Sequence, residues 1–125
     1  MAVLVKNFTR RSTPRVPFGR ALNAVLPGWD ISLVFAGEKR AQALNNQLRN
    51  KSYVPNVLSY QAGNKSGEVV ICPALAARQA PAFELPTTHF ILLLFIHALL
   101  HLKGERHSAR MERRERALMA RVLSS

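Results

Sequence analysis

From Phe90 to Leu102 the chain reads Phe-Ile-Leu-Leu-Leu-Phe-Ile-His-Ala-Leu-Leu-His-Leu, apolar on every side of a helix except at His97 and His101. A helix without a polar face is either buried all round or embedded in lipid. This stretch is too short for a membrane span, and two histidines inside it argue against one. It is therefore expected to be the buried centre of a domain. Gly104 supplies its end, because glycine takes the left-handed conformation that closes a helix. Thr87 or Thr88 is placed to cap its start.

The rest of the chain reads as shorter elements that such a centre organises. Ala2 to Asn7 suits a strand, and a short helix is expected from Phe18 to Leu26 before the Pro27-Gly28 turn. Trp29 to Phe35 reads as a second strand, with Trp29, Ile31 and Val34 or Phe35 available to the core. Glu38 to Leu48 has Ala41, Leu44 and Leu48 at helical spacing. Val57 to Ala62 and Glu68 to Cys72 flank Gly63-Asn64-Lys65-Ser66-Gly67, a hairpin signal. An Ala-rich helix follows Pro73. Ser108 can cap a last helix, Ala109 to Leu123, with Met111, Leu118, Met119 and Val122 facing inward. The sum is an α+β fold, a small sheet of about four strands with about five helices on it, in a single domain over residues 1–125.

Charge narrows the partners. Lys and Arg number 18 against 7 Asp and Glu, a formal net charge of +11, while 48% of the residues are hydrophobic. A packed core with so basic a surface favours polyanions, nucleic acid or anionic lipid, over acidic proteins. Seven cations between Lys103 and Arg121 face only Glu105, Glu112 and Glu115, so contacts to a phosphate backbone are expected there, salt-sensitive and largely blind to base sequence. At 7% aromatic content, no extended base-stacking platform is indicated. Cys72, the lone cysteine, excludes an internal disulfide and a thiolate-rich zinc site. The five cations of the first twenty residues faintly resemble a transit peptide, but a first strand with solvated charges accounts for them better. No apolar leader follows a charged start, and the chain is expected to be soluble and cytoplasmic.

The chemistry concentrates in His97-Ala-Leu-Leu-His101-Leu-Lys-Gly104-Glu-Arg-His107, an H-x3-H-x5-H pattern. His97 and His101 lie one helical turn apart on the same face. Gly104 lets the chain turn back so that His107 can reach the same point. Three imidazoles with a fourth position open describe a catalytic zinc site rather than a closed structural one. Two histidines within an apolar helix are costly to bury unless each finds a partner, and a metal provides one. Imidazole also suits nickel, copper and iron. His89 reads as a hydrogen-bonded core or surface residue. The spacing is that of the metzincin proteases, but Ala98 stands where peptide hydrolysis needs its glutamate base, and Glu105 does not match that position.

These residues resemble a known family. HALLHLKGERH is similar to the H-G-x-L-H-L-x-G-[YF]-D-H signature of the YbeY endoribonucleases. Leu44-Asn45, Arg49, Lys51 and Asn56-Val57-Leu58-Ser59-Tyr60 resemble the family's L-N-x3-[YF]-R-x-K-x3-T-D-V-L-S-F segment. Gly67-Glu68-Val69-Val70-Ile71 resembles its G-D-I-x-I strand, and Met111 and Glu115 keep its M-x3-E spacing. The resemblance implies a mixed sheet, one zinc ion held by His97, His101 and His107, and Arg49 as the catalytic cation beside it, with Lys51 and Ser59 contacting the RNA backbone. It further implies single-strand cleavage in ribosomal RNA maturation, at the 3′ end of the small-subunit 16S RNA, and ribosome quality control. The implied partners are ribosomal RNA, the small subunit or its precursors, and ribosome-assembly factors. The rival from another class is a non-catalytic, zinc-stabilised RNA- or ribosome-binding assembly factor. Where the family has Asp before the third histidine this chain has Arg106, and where it has T-D this chain has Pro55-Asn56. Both changes make the site more positive and remove carboxylates that accept from histidine N–H groups.

Overall fold

A computed structural model describes residues 2–124. In chain order it contains β1 (Ala2–Asn7), α1 (Phe18–Val25), β2 (Asp30–Phe35), α2 (Glu38–Arg49), β3 (Val57–Gly63), β4 (Ser66–Ile71), α3 (Pro73–Gln79), a 3₁₀ turn (Ala80–Phe83), α4 (Thr87–Lys103) and α5 (Ala109–Leu123). The sheet order is β1-β2-β4-β3. β1, β2 and β4 run parallel, and β3 returns antiparallel on β4. The α+β architecture and the mixed sheet agree with expectation.

The larger core lies between one face of this sheet and three helices. Ile31, Leu33, Phe35, Val69 and Ile71 project from the sheet toward Phe18, Leu22 and Val25 of α1, the length of α4, and Met111, Met119 and Val122 of α5. A smaller cluster of Val34, Ala36, Leu58 and Val70 covers the other face, with Leu44 of α2 packed against it. Val34 and Phe35 are thus both buried, on opposite faces, because successive strand residues alternate and this sheet is covered on both sides. From Phe90 to Leu100 only His97 of α4 is not buried. No single helix among the described residues is long and apolar enough to cross a membrane.

The end of α4 and the start of α5 follow local chemistry. Gly104 sits at φ 105° and closes α4, its N–H donating to the His101 carbonyl (2.9 Å) while Glu105 N–H donates to that of Leu100 (3.0 Å). Ser108 Oγ accepts from Met111 N–H at 3.1 Å and caps α5. The threonine cap expected on α4 is absent. The helix starts at Thr87 itself behind Pro86, whose carbonyl accepts from Phe90 N–H at 3.0 Å, and no side chain caps it. The hairpin is tighter than its glycines suggested, with only Asn64 and Lys65 between the strands and Lys65 at φ 51°. Gly67 suits a close approach, since a Cβ there would stand 3.0 Å from Leu102 Cδ1 of α4 and 3.3 Å from the Tyr60 carbonyl.

The periphery leaves some apolar side chains uncovered. β1 is an edge strand, and Leu4 is 61% exposed. Leu48, expected inside α2, is 45% exposed. The inward line of α2 is Ala41 and Asn45, and its last turn carries Arg49 outward and leaves Leu48 uncovered.

Candidate metal centre and cleft

The histidine pair is built by helix geometry alone. His97 and His101 project from one face of α4 with Nε2 atoms 2.9 Å apart and ring centroids 4.4 Å apart. Behind them, His97 Nδ1 pairs with the Glu115 carboxylate of α5, a buried carboxylate aimed into the domain. An imidazole that donates through Nδ1 presents the Nε2 lone pair on its other side. His101 faces the cleft with part of its ring shielded. That desolvation, followed by repulsion from His97, holds its pKa below the ordinary histidine value of 6.5 and favours the neutral form that ligates metal.

The third histidine is placed differently. His107 lies beyond Gly104, its side chain 66% exposed, with Nε2 3.5 Å from Glu112 Oε1. Its ring centroid is 5.8 Å from that of His97. Among the described residues, no group of three metal-binding side chains is close enough to share an ion. His97 and His101 on α4 and His107 on the turn after Gly104 all border one cleft, but among the described residues the three do not close on a common point. The reason is local: on an exposed segment, His107 pairs with the nearest carboxylate, one turn into α5. The donor set still fits zinc, with two imidazoles opposed, one anchored by a carboxylate, and a third one turn of chain away.

The histidines open into a cleft of about 700 Å³ whose walls also carry Arg49, Tyr53, Asn56 and Ser59. Arg49 reaches it from the last turn of α2, where Asn50 at φ 55° reverses the chain. The returning segment is pinned to α2 by Asn45 Nδ2, which donates to the Tyr53 carbonyl at 3.0 Å, and by Gln42 Nε2, which donates to the Ser52 carbonyl at 2.6 Å. Arg49 Nη1 donates to Tyr53 Oη at 3.4 Å. Asn56 Nδ2 donates to Gln79 Oε1 of α3 at 2.9 Å, which ties the wall to the next helix. Ser59 is on the α4 side of β3, two residues from Val57, which packs against the larger core. Lys51 is exposed and does not line the cleft. His89 is half-buried in the first turn of α4, away from the cleft.

Several residues that build or support the cleft escaped the sequence reading. Glu115 was visible only as part of a spacing; nothing local said that it turns inward. Asn45 likewise gave no sign of complete burial, and Tyr53 sat in a polar loop. Ala98 lies beside His97 with no carboxylate, and Glu105 is paired with Arg114, so the protease-like arrangement has no base at the expected place.

Comparison with known proteins agrees with this architecture. The family profile described as Endoribonuclease YbeY matches residues 16–123. The Endoribonuclease YbeY of Thiobacillus denitrificans is 36% identical over 102 residues, 74% of this chain and 69% of that protein. That of Aromatoleum aromaticum is 30% identical over 99% of this chain and 83% of its own length. The solution structure of TM1509 from Thermotoga maritima superimposes with a TM-score of 0.71 over 98% of this chain and 90% of that one, at 19% identity, a likeness of fold. With the profile spanning all but the ends and relatives matching along most of their length, the chain belongs to the YbeY endoribonuclease family.

Proposed function

We propose that this chain is a zinc-dependent, single-strand-specific endoribonuclease of ribosomal RNA maturation, acting as one domain in the cytoplasm. Its reaction is 3′-end processing of 16S RNA and cleavage in ribosome quality control. The observation that carries this reading is the convergence of Arg49 with His97 and His101 on one cleft. Membership of an endoribonuclease family supports RNA as the substrate, and the net charge of +11 supports its capture.

A phosphodiester entering the cleft meets Arg49, whose planar guanidinium can contact two phosphate oxygens at once. Tyr53 Oη limits the swing of that side chain. Ser59 offers a hydroxyl from the β3 wall, and Lys51 lies outside the lining, where it can touch only a more distant phosphate. His97, His101 and His107 are the residues that would hold the ion. Lewis acidity toward a phosphoryl oxygen is the chemistry zinc supplies when bound there. Arg49 adds charge stabilisation where the transition state gathers negative charge. Ribosomal RNA within the small subunit or its precursors, with assembly factors, would present the strand.

The test is cleavage of single-stranded RNA and of assembling small-subunit particles by wild type, Arg49→Ala and Arg49→Lys. Arg49→Ala is expected to lower kcat/KM about 10²–10³-fold at unchanged zinc content. Lysine should recover only part of that loss. A zinc-loaded wild type that binds RNA and never cuts it, even on particles, overturns the catalytic reading. The assembly-factor alternative would then stand.

A further inference from the structure

A second recess of about 330 Å³ opens beside the cleft and shares Asn56, Val57, His97 and His107 with it. Its apolar part is Leu93 and Leu94 of α4, then Phe90, with Phe83 of the 3₁₀ turn stacked on Phe90 at 4.7 Å between centroids and 27° between planes; Glu112 and Glu115 of α5 line the side toward the histidines. Phe90, Leu93, Leu94 and His97 follow the i, i+3, i+4, i+7 spacing, so one stripe of α4 runs from the recess to the histidine pair. Phe83 is 45% exposed, so its ring is accessible from solvent. At the rim, Arg116 of α5 is exposed and makes no ion pair or hydrogen bond among the described residues.

We propose that this recess is a nucleobase subsite, in which the base of a nucleotide adjoining the cleaved phosphate stacks on Phe83 while Arg116 neutralises its phosphate. The inference rests on the RNA reading of the cleft and deepens it. Three observations select a base over an apolar protein side chain. The recess is continuous with the phosphate cleft. It offers a planar aromatic face beside an apolar floor, the combination that binds bases without reading sequence. The carboxylates that also line it, Glu112 and Glu115, are already paired with His107 and His97, which leaves the Arg116 guanidinium for a nucleotide phosphate, a group with no use for an aliphatic side chain. A base can reach this recess only when unpaired and splayed from its neighbours, so the subsite also supplies a physical cause for single-strand preference.

The experiment measures the affinity of the zinc-loaded protein for a short single-stranded oligoribonucleotide, with an abasic residue walked along the strand. Wild type is expected to lose about tenfold in affinity at one abasic position next to the cleavage site. Phe83→Ala should lose a similar factor on the intact strand and be indifferent to that abasic position. Phe83→Leu keeps Phe90 covered, separates loss of the ring from loss of fold, and should behave like Phe83→Ala. Arg116→Ala should weaken binding and flatten its salt dependence. If wild type binds and cuts the oligonucleotide with no effect of abasic position or of Phe83, the subsite is overturned while the ribonuclease reading survives. If the Phe83 variants lose only retention on ribosomal particles, the recess takes a protein and the base assignment is wrong. If wild type neither binds nor cuts the oligonucleotide, both readings fall together.

Discussion

His97 and His101 stand on a helix that is buried on nearly every side, and His107 stands on a solvent-exposed turn one glycine later. The pair is set by geometry that α4 cannot avoid: residues one turn apart, rings 4.4 Å between centroids, and a buried carboxylate behind the inner one. His107 has no such backing and spends its Nε2 on Glu112. A donor on a packed helix is pre-organised before any ion arrives, whereas a donor on a turn takes the partner nearest to it. The site thus divides into a rigid half and an adaptable half.

The largest test of that division removes a rigid donor. His101→Ala, which leaves the interior intact, should abolish stoichiometric zinc in elemental mass spectrometry, as should His97→Ala. Retention of about one ion per chain by His101→Ala would show that the pair is not the anchor. Next come the two carboxylates. Glu115→Gln should weaken zinc about 10–100-fold in chelator competition, because it removes the acceptor that orients His97. Glu112→Gln should change zinc affinity far less, since His107 is free to turn. Equal effects of the two would erase the distinction between the halves.

Smaller effects probe the joint between them. Gly104→Ala forces a side chain into the left-handed conformation and should destabilise the fold by about 1–2 kcal/mol in urea unfolding. Ser108→Ala removes the cap of α5, about 1 kcal/mol. The smallest serves as a control on the outer face of the sheet. There burial and the hydrogen bond to Glu68 push the Tyr60 phenol up to about 12 from an ordinary 10.0. A folded pKa above the unfolded one contributes stability that is complete below pH 10 and lost as pH rises toward about 12. Tyr60→Phe should abolish that alkaline window, read by unfolding at several pH values, without touching zinc content.

Much of the cleft was legible because its parts are local. The spacing of His97 and His101, the Gly104 stop and the Ser108 cap each follow from a few consecutive residues, and all of these appear in the structure. The hairpin was legible too, although the strands run further into the turn than its glycines implied. What escaped was set between elements. Glu115 carries its charge inward because His97 is waiting across the α4–α5 interface. Asn45 occupies a core position because the returning loop offers it the Tyr53 carbonyl. Leu48 shares the helical spacing of Ala41 and Leu44 but lies where no neighbour covers it.

The sequence by itself determined that α4 is the buried axis of the domain, that two imidazoles share one of its faces, and that the surface is strongly basic. Those properties depend only on helical periodicity, residue type and charge, all of which are local or additive. Only the tertiary structure decided which carboxylate backs His97, that Arg49 and Ser59 share the cleft while Lys51 does not, and that Phe83 stacks at the mouth of a second recess. Those facts depend on which surfaces meet across gaps in the chain, and no periodicity within a segment encodes its partner.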